Sequence, residues 1–233
     1  MRYTTILFDV GDTLLQVPHP APVYQRLLAR HGCELPLARV EHIVAEARRI
    51  QDEHVPCWIR EDLTLDRDAS ARRRALHVDT IVERAAVQDA TTVRQAFFDL
   101  YVNAELFTLF PDVMETLRQL RGDGYRLGIV SNWEPRLRLL CAAHGIDEYF
   151  DFAVISEVEG YAKPHSWLYR RALGLANAPP ERVLHVGDKL REDVEGATQV
   201  GISAVLLDRQ GTMSTEYRPR ISTLTELPGV LRR

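Results

Sequence analysis

Four short segments carry the residues that could do chemistry, each placed where an apolar run gives way to small or polar residues. The first is Ile6-Leu7-Phe8-Asp9-Val10-Gly11-Asp12-Thr13-Leu14-Leu15. An apolar strand of this kind delivers the side chain at its C-terminal end into the crevice where open α/β sheets bind ligands, so Asp9 stands where a nucleophile would. The second is Ile129-Val130-Ser131-Asn132, in which a hydroxyl follows a buried strand. Ser and Asn are preferred helix caps, and capping is the structural reading of this pair. The third is Gly160-Tyr161-Ala162-Lys163-Pro164, read structurally as a surface turn with the proline at or near a helix start. Lys163 gains weight from usage, because only Lys163 and Lys189 are lysines in a chain with 29 basic side chains. A compact ammonium fits beside a phosphoryl oxygen and a carboxylate, whereas a planar guanidinium asks for a wide, forked partner. Lys189 has the weaker claim and reads equally well as solvated. The fourth segment runs from Val183 to Ala197 and contains Gly187-Asp188 and, five residues further on, Asp193. Two carboxylates near a strand end and a first helical turn suit a hard cation such as Mg²⁺, and they also suit compensation of a helix dipole.

These segments must be held by a framework, and the apolar pattern supplies one. Helical spacing recurs over Ala21 to His31, Leu37 to Glu53, Arg67 to Val87 and Thr91 to Asn103, with no strand pattern between Gln16 and Phe110. From Pro111 the pattern becomes alternating helix and strand. Helices are expected over Asp112 to Gly122, Pro135 to Gly145, Ser166 to Gly174 and Arg191 to Gly201. Strands are expected over Arg126 to Val130, Phe152 to Ile155, Arg182 to Val186 and Ser203 to Leu207. With the first strand this makes five, joined by helices, which implies a Rossmann-like parallel α/β sheet with right-handed crossovers. A short strand near Ile221 and a last turn or two around Leu224 to Leu231 complete the pattern. The domain reading is a core of residues 1–15 and 111–233 with an all-helical insert over 16–110. In such a sheet Asp9, Ser131, Lys163, Asp188 and Asp193 all fall at C-terminal strand ends and line one crevice.

Composition narrows the partners. The chain has 233 residues, 45% of them apolar, and a net charge of -4 with no block of like charge, which argues against nucleic acid. No apolar stretch approaches bilayer length, and Met1 to Thr5 lacks a signal-peptide pattern, so neither a membrane nor export is expected and the cytoplasm is the expected compartment. Cys33, Cys57 and Cys141 are odd in number and widely spaced, which suggests thiols rather than disulfides or a zinc site.

In order and local sequence the four segments resemble the four motifs of the haloacid dehalogenase superfamily, most of whose members are Mg²⁺-dependent phosphohydrolases, over the core from Tyr3 to Leu207. The strand-borne Asp9 and the Gly187-Asp188 to Asp193 segment are the specific parts of the match. The resemblance implies that residues 16–110 form a cap, and that a small phosphorylated compound is hydrolysed through an aspartyl-phosphate on Asp9. It further implies Mg²⁺ held by Asp9, the Gly11 carbonyl and Asp188, with Asp193 a ligand or a neighbour of one. Ser131, with Asn132 beside it, would hold the phosphoryl group, and Lys163 would neutralise its charge and keep Asp9 ionised and aimed.

One departure matters for mechanism. The usual first motif reads Asp-x-Asp-Gly-Thr, and its second acid transfers protons to the leaving group. Here that position is Gly11 and the acid follows as Asp12. Asp12 has two readings, a displaced proton donor or a brace for the turn. The swap also admits a phosphate-binding module without turnover, or a 2-haloacid dehalogenase. Dehalogenases carry Ser-Asn-x-x-Asp as the last motif, however, and this chain keeps the metal-type acids. Phosphonoacetaldehyde hydrolases need a cap lysine, and none occurs between Gln16 and Phe110. Substrate choice would lie in the insert, where Trp58, Arg60 and the run Arg72-Arg73-Arg74 stand out, the run reading mostly as surface charge. His19 reads as a neighbour of the site. Oligomeric state is not legible.

Overall fold

The computed structural model describes residues 2–54, 61–100 and 106–232. In chain order the elements are β1 (Thr5–Phe8), β2 (Leu15–Gln16), α1 (Pro20–Arg30), α2 (Leu37–His54), α3 (Arg67–Arg84), α4 (Ala90–Leu100) and β3 (Thr108–Leu109). They continue as α5 (Val113–Gly122), β4 (Arg126–Ser131), α6 (Leu137–Ala143), β5 (Phe152–Ile155), α7 (Ser156–Glu159), α8 (Ser166–Ala176) and β6 (Val183–Gly187). The last are α9 (Gly196–Thr198), β7 (Ser203–Leu207), β8 (Arg220–Ile221) and α10 (Leu227–Leu231).

Six strands form one parallel sheet in the order β5-β4-β1-β6-β7-β8, a Rossmann-like α/β arrangement. The first strand sits in the middle because all four of its residues are buried, as only a strand covered on both faces can be. Its alternation distributes them: Ile6 and Phe8 enter the core that also takes in Leu117, Leu140 and the helices between β2 and β3, while Leu7 packs on the opposite face with Leu168, Tyr169 and Ala172 of α8.

The four helices between β2 and β3 are amphipathic, and their buried residues, such as Leu28, Ile43, Ile81 and Phe97, join the first of these cores. Asp66 starts α3 by accepting a hydrogen bond from the Ala69 N–H at 2.8 Å. Among the described residues of this stretch no strand occurs between β2 and β3, but those two strands pair with each other, antiparallel, Leu15 opposite Leu109. The ribbon returns the chain to its point of departure, so the helices hang from two adjacent strands. Two-residue strands carry no periodicity, and the sequence pattern did not show them.

Two further differences bear on the site. The expected helix over Arg191 to Gly201 is instead a widened π-type turn over Leu190–Glu195 followed by the short α9. Both Asp193 and Val194 donate their N–H to the Lys189 carbonyl there, and the widening turns Asp193 inward. Second, α6 starts only at Leu137, so Ser131 and Asn132 cap no helix. The start of α8 at Ser166 is the expected one, with its first turn capped by His165. Cys33 and Cys141 are free thiols, and burial pushes Cys141 up to about 12. Cys57, Trp58, Arg60 and the end of the helix expected to reach Asn103 lie outside the described residues.

Candidate active site

Asp9 lies one residue past β1, 5% exposed, and its N–H donates to the Val186 carbonyl of β6 at 2.9 Å, which pins its backbone between neighbouring strands. Its Oδ1 accepts from Lys163 Nζ at 2.6 Å and from Ser131 Oγ at 3.0 Å. Among the described residues no donor reaches Oδ2. One carboxylate oxygen is therefore held by a cation and a hydroxyl, and the other is left for a ligand.

Lys163, 3% exposed, is fixed at both ends. Asn132 grips its backbone, accepting from the Lys163 N–H at 2.7 Å and donating to the Lys163 carbonyl at 3.2 Å. Its ammonium bridges Asp9 and Asp193, the latter at 2.5 Å. Burial alone would push this ammonium down, but the carboxylates of Asp193 and Asp9 outweigh it and hold Lys163 well above its ordinary value.

Asp193 is fully buried, and both of its oxygens are engaged. Oδ1 accepts from Lys163 and from His185 Nε2 at 3.1 Å, and Oδ2 accepts from the Lys189 backbone N–H at 2.9 Å. Burial would raise this carboxyl, but Lys163 and His185 keep it far below the usual carboxylate range. Gly187 makes room for it, since a Cβ at that position would lie 2.3 Å from Asp193 Cγ. The ammonium of Lys189 turns away to Glu192, 3.6 Å distant.

Asp188 completes an acidic triplet. Asp9, Asp188 and Asp193 each offer a carboxylate oxygen, all within 4.8 Å of one another. Thr13 Oγ1 donates to Asp188 at 3.4 Å. Burial first, then the charges of Asp9 and Asp193, raise Asp188 to about 7. Carboxylates held this close repel one another, and a divalent cation with oxygen ligands would relieve that repulsion, so the donor set fits a hard metal ion.

The other candidates are placed as follows. Gly11 packs against an indole: a Cβ there would sit 3.1 Å from Trp133 Cζ3. Asp12, exposed and in the left-handed region at φ 57°, accepts from the Val17 N–H at 3.1 Å and does not join the triplet. His19 is exposed at the start of α1. The arginine run departs from the expectation of surface charge. Arg72 is exposed, but Arg73 turns onto Asp52 and the Gln51 carbonyl, and Arg74 pairs with the buried Glu157 at 2.6 Å, where Ser70 also donates. The backbone between 63 and 65 joins the segment leading to Lys163, Leu65 donating to Gly160 and Ala162 to Leu63, both at 2.9 Å. Sequence reasoning missed His185 and Glu157, because a histidine inside a strand and a glutamate in a single helical turn read as ordinary residues.

Comparison with known proteins agrees with this architecture. The sequence signature of the family described as haloacid dehalogenase-like hydrolase matches residues 3–201. Haloacid dehalogenase-like hydrolase domain-containing protein 3 of Homo sapiens is 31% identical over 215 residues, covering 89% of this chain and 82% of its own. Glyceraldehyde 3-phosphate phosphatase of Pyrococcus furiosus is 26% identical, covering 99% and 92%. A crystal structure of 2-haloacid dehalogenase from Pseudomonas syringae superposes with a TM-score of 0.69 at 28% identity, over 99% of each chain. Among the described residues no helix is long and apolar enough to cross a membrane.

Proposed function

Since the chain belongs to the haloacid dehalogenase-like hydrolase family, we propose that it is a Mg²⁺-dependent phosphatase of a small phosphorylated compound, working through an aspartyl-phosphate on Asp9. The observation that carries this reading is the Asp9 carboxylate itself, its Oδ1 held by Lys163 and Ser131, its Oδ2 met by no donor among the described residues, and the group clustered with Asp188 and Asp193. The phosphatase named among the relatives supports it.

Asp9, Asp188 and the Gly11 carbonyl would hold Mg²⁺, with Asp193 adjoining them. When bound, the ion draws charge from the phosphoryl oxygens. Asp9 Oδ2 attacks phosphorus, the bond to the leaving oxygen breaks, and the leaving group departs with that electron pair as an oxyanion that takes a proton from solvent water. Lys163 holds the Asp9 carboxylate in place and faces the phosphoryl charge as it shifts, and Ser131 holds a phosphoryl oxygen. Water then attacks the phosphorus of the aspartyl-phosphate, releasing phosphate and restoring Asp9. Asp193 and His185 act through the lysine, fixing where its ammonium stands.

The leaving oxygen meets no acid at Gly11, and Asp12 is occupied with the turn. Substrates whose leaving groups need little protonation are therefore expected to react best. The acidic triplet speaks against a 2-haloacid dehalogenase, because halide displacement needs neither a proton nor a metal ion.

The test is hydrolysis of para-nitrophenyl phosphate and acetyl phosphate by the purified chain with and without Mg²⁺, alongside Asp9→Asn. Metal-dependent turnover lost in Asp9→Asn supports the reading. Turnover no greater than that of Asp9→Asn, with Mg²⁺ and phosphate still bound, would replace it with a binding module.

A further inference from the structure

Beside the Lys163 segment lies a half-open cavity of about 560 Å³ whose wall includes Asn132, Trp133 and Ala162. A second cavity of about 280 Å³ adjoins it, and the two share Val17, Arg48, Gln51, Arg74 and Phe107. The two adjoin along these shared residues, and each is of a size that holds small ligands or parts of them. The first is lined by Asn132, which grips the lysine paired with Asp9, and the second by residues of α1, α2 and α3.

The charges along this wall are nearly all matched. Arg73 pairs with Asp52, Arg74 with Glu157, and Glu134 with Arg136 at 2.9 Å. Arg48 is the exception: exposed on α2 and lining both cavities, it makes no hydrogen bond or ion pair with any described residue. Its neighbour His77 adds no second charge, since burial first and the Arg48 charge second push that imidazole down to about 4. Gln51 is neutral and donates to the Arg73 carbonyl. One uncompensated guanidinium thus faces a ligand-sized space walled by Phe107, Trp133 and Tyr24. A guanidinium presents its N–H groups in a planar fork that matches the oxygens of a carboxylate or a phosphate.

We propose that Arg48 is a specificity-determining residue that binds an anionic group, a carboxylate or a second phosphate, carried on the leaving group of the phosphate ester. The inference rests on the phosphatase reading above and names the class of ester. It also answers the absence of an acid at Gly11. Binding energy gained far from the reacting bond orients the ester and lowers the barrier when groups at the bond itself are lacking.

The test compares three esters with the same three-carbon chain: propyl phosphate, 2-carboxyethyl phosphate and propane-1,3-diyl bisphosphate. Each is assayed for kcat/KM with Mg²⁺ on the wild-type chain, Arg48→Ala and Arg48→Lys. A charge-assisted contact predicts that the wild type favours at least one anionic ester over propyl phosphate by about 10- to 100-fold. The ratio should collapse toward one in Arg48→Ala and return in part in Arg48→Lys, and whichever anionic ester is favoured identifies the group. A wild-type ratio near one, or a ratio that survives Arg48→Ala, overturns the proposal. If no ester is turned over, the phosphatase reading fails first. Calorimetric titration of the same compounds into Asp9→Asn and Asp9→Asn/Arg48→Ala then reads the preference as a ratio of Kd values, and no preference for an anionic compound, or one unchanged by Arg48→Ala, overturns the Arg48 assignment as well.

Discussion

Replacing Asp188 by Asn should stabilise the metal-free protein at pH 8 while abolishing its stabilisation by Mg²⁺. A carboxyl raised from 3.8 to about 7 by burial and by its neighbours Asp9 and Asp193 is penalised when ionised. At about 1.4 kcal/mol per pH unit, that interval corresponds to a ceiling of about 4 kcal/mol. Asp188 keeps some contact with water, which screens the repulsion, so about 2 to 4 kcal/mol is expected. The folded-state value is the higher one, so the penalty is full above about 7, shrinks as pH falls toward 3.8 and is absent below it. His77 acts in the opposite direction, because an imidazole lowered from 6.5 to about 4 contributes stability above 6.5 that is lost as pH falls through 4. The raw pH profile of the wild type therefore mixes two opposed trends, and the difference between wild type and Asp188→Asn cancels the histidine. Asn keeps the shape of the side chain and an oxygen for Thr13 Oγ1. At about 2–4 °C per kcal/mol for a chain of this size, the variant should melt about 5–15 °C above the wild type at pH 8 in chelator. At pH 5 that gap should fall by more than half. Saturating Mg²⁺ should raise the wild-type Tm at pH 8 and leave the variant unmoved. A variant no more stable than the wild type at pH 8 without metal, or one with an unchanged response to Mg²⁺, would refute the account of repelling carboxylates.

Lys163→Met leaves Asp9 and Asp193 buried without their cation and should lower unfolding free energy in urea by about 3–5 kcal/mol, with turnover lost; adding Asp193→Asn should restore much of the stability and none of the turnover. Asp12→Asn keeps an oxygen for the Val17 N–H, so the rate on para-nitrophenyl phosphate should fall less than about tenfold; a loss of about 10²- to 10⁴-fold would assign proton transfer to Asp12 instead. Gly187→Ala drives a Cβ into the Asp193 carboxylate and should cost about 1–3 kcal/mol or more in a denaturation midpoint, with turnover falling as Asp193 leaves the lysine.

The parts of the fold that were legible are those with a strong period or a strong local signal. Buried strands such as Thr5–Phe8 and Phe152–Ile155 announce themselves as apolar runs, and the amphipathic α2 by its spacing. Lysine usage singled out Lys163 before any contact was known, because a site that holds one ammonium between two carboxylates has no room for a guanidinium fork. What stayed hidden depends on backbone geometry or on pairing across long separations. The ribbon of Leu15–Gln16 with Thr108–Leu109 has two residues a side and no period. The inward turn of Asp193 follows from a π-type widening that helical spacing cannot distinguish from a regular helix. For Ser131 and Asn132 the local sequence left capping as an alternative to a place in the site; the fold shows one donating to Asp9 and the other gripping Lys163, contacts spanning 122 and 31 residues of chain. The missing acid shows the same division. The sequence shows Gly at position 11, but only the fold shows that the Trp133 ring lies 3.1 Å from where a Cβ would stand. A side chain restored at Gly11 would thus press on an indole that also lines the cavity reached by Arg48, so the lost proton donor and the shape of the leaving-group space belong to one packing arrangement.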